Sequence, residues 1–292
     1  MIPAPRPIRA RRAPARSAVL TPALIAVAPN GARRTKADHP ALPMTAAEIG
    51  RTAAACAEAG AAMIHLHVRD DSGRHSLDPT LYRAAITSVR REAGPDLVIQ
   101  ATTEAVGRYD RLQQMAMVRT LKPECVSIAL GEVMPDEASL KDGVPFLTEL
   151  KRERIGVQYI LYSAQEAGAF RILMRRGLVP DERPFVLFVL GRYAKDQTST
   201  PTDLLPFLAA WENQGPFAVC AFGAKEGACA LTALALDGHA RVGFENNLAL
   251  ADGRIAPDNA ALVRQTADAA GIMGRTVADP DHARVLVGIE SA

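Results

Sequence analysis

The stretch Met63-Ile64-His65-Leu66-His67-Val68-Arg69-Asp70 is a short apolar run that carries two histidines one residue apart. In a β-strand, successive side chains point to opposite faces. One face therefore carries the branched apolar side chains, as a strand packed beneath helices requires, and the other carries His65, His67 and Arg69. Two imidazoles roughly 6–7 Å apart along one face can converge on one metal ion. The alternative is a pair of ordinary histidines, one of them hydrogen-bonded in a core.

Strand-like and helix-like segments alternate along the rest of the chain. An apolar run over residues 19–28 predicts a first strand, and Thr45 with Glu48 forms a capping-box signature that opens a helix. Strands alternating with helices predict βαβ units and a parallel sheet. Six further strands are predicted after the histidine strand, each followed by a helix: residues 97–104, 125–130, 157–163, 184–190, 217–222 and 239–245.

About eight such units in fewer than 300 residues predict a (β/α)₈ TIM barrel. We expect one domain over residues 17–292, because no internal boundary or repeat stands out. The alternative is a doubly wound open sheet. That fold usually carries a Gly-rich first turn, and Pro29-Asn30-Gly31 is not a GxGxxG motif.

Composition places the chain among ordinary globular proteins, with 48% apolar and 23% charged residues. Residues 1–16 contain five arginines, four prolines and no acid, and are predicted to be a disordered basic tail. The remaining 29 basic and 32 acidic side chains give −3, which argues against a nucleic-acid surface. The four cysteines show no CxxC spacing and are predicted to be reduced, in a cytoplasmic protein. No apolar run is long enough to predict a membrane span.

The active site of a TIM barrel lies at the carboxyl ends of its strands. Polar side chains stand at or near several of the predicted strand ends, and these are the candidate binding and catalytic groups. They are Asn30, Thr102, Thr103, Glu104, Ser127, Glu132 and Gln158.

The last predicted strand carries charge on its barrel side. Alternation puts Arg241 and Glu245 there, and charged groups inside a barrel are costly unless they bind something or each other. One interpretation is a mutual ion pair. The other is that Glu245 is a third metal ligand beside His65 and His67, since the last strand of a closed barrel adjoins the first. Two histidines and a carboxylate with an open position are a catalytic zinc set, in which zinc acts as a Lewis acid.

With these residues the chain resembles the β-keto acid cleavage enzymes, a zinc-dependent (β/α)₈ family, from about residue 19 to the C-terminus. The resemblance implies that a β-keto acid and acetyl-CoA give acetoacetate and a new CoA thioester. The steps would be Claisen addition, CoA transfer and retro-Claisen cleavage. It also implies a homo-oligomer, a tetramer in that family. Its markers are Ala59-Gly60-Ala61, His65 to Asp70, Thr102-Thr103, Pro123 to Ser127, and Arg241 to Asn247.

The resemblance also implies roles for individual residues. His65, His67 and Glu245 would hold the zinc ion that binds the keto acid. Arg241 would support the acid–base group and the developing negative charge. Ser127 and the Thr102-Thr103 pair would hydrogen-bond the substrate, and Asn30 and Gln158 are further binding residues at the mouth.

Two positions depart from the family pattern. The residue after the zinc glutamate is usually an aspartate that acts as general base, and here it is Asn246. A glutamate that assists this base aligns with Gln158. An amide cannot take a proton as a carboxylate does. Either Glu104 or Glu132 therefore serves as the base, or the activity is weak or altered.

Two other functions compete with carbon–carbon bond cleavage. A zinc-dependent hydrolase of small amides or lactones also often uses His-x-His in a barrel. It would want more histidines at later strand ends and an aspartate on the last strand, where this chain has only His239 and Asn246. A catalytically inactive metal-binding barrel is the third hypothesis, which the two missing acids keep open.

Overall fold

Eight parallel strands close into a barrel in the computed structural model, which describes residues 20–289. Around the barrel the order is β1, β2, β5, β6, β7, β8, β9 and β10, and β10 pairs again with β1. A short antiparallel hairpin, β3 (Val68–Arg69) and β4 (His75–Ser76), stands outside it. The barrel strands are β1 (Ile25–Val27), β2 (Met63–Leu66), β5 (Val98–Thr102), β6 (Cys125–Ala129), β7 (Gly156–Leu161), β8 (Phe185–Leu190), β9 (Phe217–Ala221) and β10 (His239–Val242).

Helices connect the strands and surround the barrel. Several begin at capping residues: the Thr45 hydroxyl and the Glu48 carboxylate form a reciprocal capping box at the start of α1, and Asp78 caps α2 ahead of a proline. The helices are α1 (Ala46–Glu58), α2 (Pro79–Ala93), α3 (Arg111–Leu121), α4 (Leu130–Val133), α5 (Leu140–Arg152), α6 (Ala164–Arg175), α7 (Leu204–Trp211), α8 (Glu226–Ala235), α9 (Asn259–Ile272) and α10 (Pro280–Leu286). Short 3₁₀ turns occupy Glu137–Ser139, Lys195–Gln197 and Pro201–Asp203.

Strand alternation divides the buried side chains into two cores. Ile64 and Leu66 pack between the sheet and the helices, whereas Met63 points into the barrel. Ala283 and Val287, in and just after α10, join the interior cluster. Val157 N–H also donates to the Val287 carbonyl at the amino-terminal start of β7. The segment around α10 therefore covers the amino-terminal end of the barrel.

The predicted single-domain (β/α)₈ barrel is confirmed, and the open-sheet alternative is wrong. Most strands are shorter than predicted: β1 begins at Ile25, and β2 ends at Leu66. His67 therefore follows the strand, and the turn over residues 70–73 closes the unpredicted hairpin. The predicted tail, residues 1–16, lies outside the described residues. All four cysteines are buried and free, and within residues 20–289 no helix is long and apolar enough to cross a membrane.

Candidate metal centre and active site

Three side chains converge at the carboxyl ends of two strands: His65 on β2, His67 just after it, and Glu245 in the turn after β10. The two imidazole Nε2 atoms are 3.1 Å apart. Oε2 of Glu245 lies 3.7 Å from His65 Nε2 and 3.6 Å from His67 Nε2. Ligand atoms held at about 2.0–2.1 Å by a tetrahedral zinc ion are roughly 3.3–3.4 Å from one another. The three atoms are therefore spaced as ligands of one such ion.

Hydrogen bonds turn both imidazoles so that Nε2 faces this cluster. Gln100 Oε1 accepts from His65 Nδ1 at 2.7 Å. His75 Nε2 donates to the carbonyl oxygen of Glu104 at 3.0 Å, which leaves His75 Nδ1 as the acceptor for His67 Nδ1, 3.4 Å away. Both ligand histidines thus carry their proton on Nδ1 and present an Nε2 lone pair, as metal-binding histidines do.

Burial keeps these imidazoles neutral. It lowers the pKa of His65 to about 4, and the charge of nearby Arg241 lowers it further. Burial and the neighbouring His65 lower the pKa of His67 well below its ordinary value, and burial lowers the pKa of His75 to about 4. Neutral imidazole is the form that binds a metal ion.

Contacts from α8 and α9 anchor the turn that carries Glu245. Gly243 N–H donates to Glu226 Oε1 at 3.1 Å, and Phe244 N–H donates to Asn259 Oδ1 at 2.8 Å. Glu226 and Asn259 are both buried, and burial raises the pKa of Glu226 to about 8. With the two preceding amides fixed, the next side chain, Glu245, is directed into the barrel mouth.

A glycine makes room for that carboxylate. Gly31, in the turn after β1, has φ +59°, and a Cβ atom added there would lie 2.5 Å from Glu245 Cγ. The left-handed backbone and the close approach both require a residue without a side chain.

Arg241 and Glu245 also form the ion pair that was the competing interpretation of the last strand. Arg241 Nη2 lies 3.4 Å from Glu245 Oε1, and it donates to Cys220 Sγ at 3.3 Å. Oε2, the other oxygen of Glu245, faces the histidines. The two interpretations therefore describe opposite oxygens of one carboxylate.

Several buried polar atoms of residues on or just after the barrel strands have no hydrogen-bond partner within residues 20–289. They are Nε and Nη1 of Arg241, Oγ of Ser127 and both amide atoms of Asn246. Such atoms are rare in folded proteins unless they bind a ligand or water. Of these residues Arg241 contacts a metal ligand, Glu245, so its free N–H groups lie beside the cluster, where a substrate anion can accept from them.

A small cavity, the inner cavity, adjoins the cluster and opens to solvent, and the space free of protein atoms in and above it is about 290 Å³. Glu104 lies in its wall, with Oε2 3.9 Å from His67 Nδ1. Burial raises the pKa of Glu104 to about 7, and the negative charge of Glu245 adds to this effect. The cavity is lined by His65, Thr102, Glu104, Ile160, Tyr162, Val189, Arg192, Phe222, Arg241 and Glu245.

The structure does not bring Glu132 or Gln158 to this cavity. Glu132 Oε2 accepts from Gln114 Nε2 at 2.6 Å and from the backbone of Ala105 at 3.1 Å. Gln158 Oε1 accepts from Gln100 Nε2 at 3.1 Å, so it reaches the metal cluster only through the partner of His65. The β7 residue that lines the cavity is Ile160, two positions further along the strand.

The remaining predicted binding residues divide in the same way. Thr102 lines the inner cavity and accepts from Glu104 N–H at 3.1 Å, which leaves its hydroxyl hydrogen free. Thr103 instead donates to the Ser127 carbonyl at 3.0 Å. Asn30 donates to the His67 carbonyl at 3.2 Å, so it braces the chain beside a metal ligand.

Sequence analysis missed several residues of this site. A hairpin drawn across residues 70–73 would have brought His75 back beside His67, but the two-residue strands give a weak pattern. Arg33 and Arg192 lie in loops after β1 and β8, where no periodic signal exists. They meet only because the barrel brings those loops to one rim.

The family model for beta-keto acid cleavage enzymes matches residues 22–289. The chain belongs to the β-keto acid cleavage enzyme family. It is 31% identical over 278 residues to the 3-keto-5-aminohexanoate cleavage enzyme of Acetoanaerobium sticklandii, covering 91% of this chain and 98% of that protein. It is 30% identical over 284 residues to the 3-oxoadipate:acetyl-CoA acetyltransferase of Cupriavidus necator, covering 92% and 96%.

Solved structures share the fold of this β-keto acid cleavage enzyme. The binary complex of ObcA with oxaloacetate aligns with a TM-score of 0.70 and 17% sequence identity, covering 86% of this chain and 68% of that chain. At that identity the likeness concerns the barrel alone. The family assignment that the residue pattern suggested is thus confirmed by the sequence comparisons.

Proposed function

We propose that this enzyme cleaves a β-keto acid with acetyl-CoA, giving acetoacetate and a new CoA thioester, at a zinc ion held by His65, His67 and Glu245. The observation that carries the proposal is the spacing of three ligand atoms at the carboxyl end of a barrel of this family. Two relatives at 30% and 26% identity are named as acetyl-CoA-dependent transferases, which supports the co-substrate.

The donor set fits zinc better than a hard cation, since two neutral imidazoles and one carboxylate are borderline ligands. When bound, the ion would supply Lewis acidity to the keto acid carbonyl. Oε2 of Glu245 has no hydrogen-bond partner within residues 20–289, as expected of an atom that binds a metal ion.

Side chains of the enzyme would transfer protons and stabilise the developing negative charge. Two guanidinium nitrogens of Arg241, Nε and Nη1, have no partner within residues 20–289, and their N–H groups would stabilise negative charge as the new carbon–carbon bond forms and the old one breaks. The free hydroxyl of Thr102, in the wall of the inner cavity, would donate to a substrate oxygen. The family resemblance implies the same role for Ser127, whose hydroxyl has no partner within residues 20–289. Glu104 is the carboxylate beside the cluster that lines the cavity, and it would remove the proton from the carbon between the two carbonyls.

The experiment measures metal content and acetoacetate formation together. His65→Ala should lose zinc by elemental analysis and lose activity with it. Glu104→Gln should keep zinc and lose about 10²–10⁴-fold in turnover, the usual worth of a general base. Glu132→Gln is the matched control, and its turnover should fall far less because Glu132 points at Gln114.

Two results would contradict the proposal. Full zinc in His65→Ala would exclude the metal site. An absence of acetyl-CoA-dependent cleavage for every β-keto acid offered to the zinc-loaded protein would exclude the reaction while leaving the metal site intact.

We also propose that the enzyme is a homo-oligomer, which light scattering of the purified protein would test.

A further inference from the structure

Three charged side chains meet at the rim of the inner cavity, on loops after β1, β5 and β8. Glu104 Oε1 accepts from Arg33 Nη1 at 2.9 Å and lies 3.5 Å from Arg192 Nη2. The side chains of Glu104 and Arg192 are 15% and 12% exposed, whereas that of Arg33 is 55% exposed. Glu104 and Arg192 line both the inner cavity and an adjoining outer cavity, which Arg33 also lines.

The trio of Arg33, Glu104 and Arg192 has a net charge of +1, since two guanidinium groups share one carboxylate. Arg192 is the less satisfied of the two. Its one guanidinium hydrogen bond within residues 20–289, at 3.5 Å, is long, and its other neighbours are the rings of Phe222 and Tyr193, 5.3 and 5.8 Å from the guanidinium carbon. A guanidinium has five N–H donors, and its burial is costly when they are unpaired. An anion in the cavity would complete the pairing.

The inner cavity that joins this cation to the metal cluster has an apolar part. Ile160, Val189 and Phe222 line it together with Arg192 and two of the metal ligands, His65 and Glu245. Glu104 reaches both ends of this cavity, with Oε2 3.9 Å from His67 Nδ1 and Oε1 3.5 Å from Arg192 Nη2, so a short chain can join the cation and the cluster. A ligand complementary to the metal cluster, the apolar part of the cavity and the arginine would place a keto acid group at the metal, a short methylene segment against the apolar side chains, and an anionic group at Arg192.

We propose that the substrate of this enzyme is a β-keto acid with a second carboxylate at the far end of its chain, bound by Arg192 with Arg33 at the rim. The inference rests on the proposed function and narrows it. The names of the two relatives do not settle the charge at the far end of the substrate of this enzyme. The substrate named for one, 3-keto-5-aminohexanoate, carries an amine on its chain, and that named for the other, 3-oxoadipate, carries a terminal carboxylate. A surplus guanidinium repels the ammonium and attracts the carboxylate.

The anion could also be a phosphate of acetyl-CoA, and the experiment separates the two sources. Three six-carbon β-keto acids are compared on the zinc-loaded enzyme with acetyl-CoA. They are 3-oxoadipate, whose chain ends in a second carboxylate, 3-oxohexanoate, whose chain end is uncharged, and 3-keto-5-aminohexanoate, whose chain carries an ammonium group. We expect kcat/KM for 3-oxoadipate to exceed that for 3-oxohexanoate by about 10²-fold, as for one buried charge pair. The amino acid, 3-keto-5-aminohexanoate, should be the poorest substrate of the three.

Arg192→Leu removes the charge and keeps an apolar stem. The ratio of kcat/KM for 3-oxoadipate to that for 3-oxohexanoate should fall from about 10² to near 1, and Arg192→Lys should restore part of it. Arg33→Leu should lower the ratio less, because that side chain is more exposed. The matched control is Arg152→Leu on α5, whose guanidinium is 73% exposed and pairs with Glu153, and it should keep the ratio of the wild type.

Three outcomes would overturn the inference. Equal kcat/KM values for 3-oxohexanoate and 3-oxoadipate would exclude a subsite for the second carboxylate while leaving the proposed function intact. A rise in the KM of acetyl-CoA in Arg192→Leu, with no change in the ratio, would assign Arg192 to the CoA phosphates. If no acid is turned over, calorimetry with 3-oxoadipate and 3-oxohexanoate on the same zinc-loaded proteins still tests the subsite. Equal affinity of the two acids would then reject it.

Discussion

His75 sets the protonation of a metal ligand without touching the metal site itself. Its Nε2 atom can only donate to the Glu104 carbonyl, and this makes its Nδ1 atom the acceptor for His67. Groups that orient a metal-binding histidine in this way are typically worth 10–100-fold in metal affinity.

We therefore predict that His75→Leu binds zinc about 10–100-fold more weakly than the wild type. His75→Gln, which keeps one donor and one acceptor, should recover part of the loss. Competition with a chromogenic chelator measures both values. His282→Asn, at the other end of the barrel, is the control, and an equal loss in that variant would show that the effect is not specific to the relay.

Gly31 offers a second test at the scale of one residue. Gly31→Ala should lose zinc because the new Cβ atom would meet Glu245 Cγ at 2.5 Å. Gly177→Ala is matched, with φ +69° and no atom within 4 Å of the added Cβ. Both variants should lose about 1 kcal/mol of stability from left-handed backbone strain. Normal zinc content in Gly31→Ala would mean that Glu245 is not a ligand or that the turn yields.

Asn246 stands where the resemblance implies an aspartate base, and its buried amide has no partner within residues 20–289. Burial would raise the pKa of a carboxyl at this position, and the nearby charge of Arg241 would lower it. We expect Asn246→Asp to change turnover by less than about 10-fold when Glu104 is present, and to restore more of it in a Glu104→Gln background. A gain of about 100-fold in the single variant would show that Glu104 is not the base.

At the scale of secondary-structure elements, His239 joins the last strand of the barrel to the first. Its Nδ1 atom accepts from Leu24 N–H at 3.0 Å, which requires a neutral ring. Burial lowers the pKa of His239 to about 3, and the charges of Arg275 and His282 lower it further. The unfolded chain, with an ordinary histidine pKa of about 6.5, binds this proton first.

Because the pKa of His239 is depressed in the folded state, its contribution to the free energy of unfolding is fully present above pH 6.5. That contribution falls by about 1.4 kcal/mol for each pH unit below 6.5, until the pH approaches 3. His239→Asn keeps an acceptor for Leu24 and cannot titrate, so its stability should fall less over this range. Urea unfolding of the metal-free proteins at pH 7.5, 6 and 5 measures the difference. Parallel curves would contradict the prediction.

At the scale of the whole molecule, the metal centre links distant parts of the chain. Its ligands come from the end of β2 and from the turn after β10, which lie on either side of β1 in the closed barrel. An ion bound only by the folded state stabilises it by about 2.7 kcal/mol at 100 times its dissociation constant.

We therefore predict that chelation lowers the melting temperature by several degrees and that added zinc restores it. Scanning calorimetry with and without the chelator measures the shift. His65→Ala should show no shift with zinc. A melting temperature of the wild type that does not depend on zinc would contradict a site made by the folded barrel.

The sequence by itself determined the barrel and the faces of its strands. Eight alternating units in fewer than 300 residues left little room for another fold, and a side-chain period of two fixes which residues point inward. That parity alone assigned His65 and Arg241 to the barrel side, and it held because both lie in strands, where side-chain direction is a local property of the backbone. Glu245 was assigned by the same parity but follows β10, and its direction depends on the contacts of Glu226 and Asn259 with the turn.

Only the tertiary structure decided how the rest of the mouth is arranged. Glu104 and Glu132 follow neighbouring strands, yet Glu104 faces the cavity and Glu132 turns toward Gln114. Parity gives the face of a side chain but not its height in the barrel, so Gln158 was expected where Ile160 stands. Arg33, Glu104 and Arg192 lie on three loops with no periodicity. Their meeting depends on the closure of the sheet, a long-range contact that no local pattern of residues encodes.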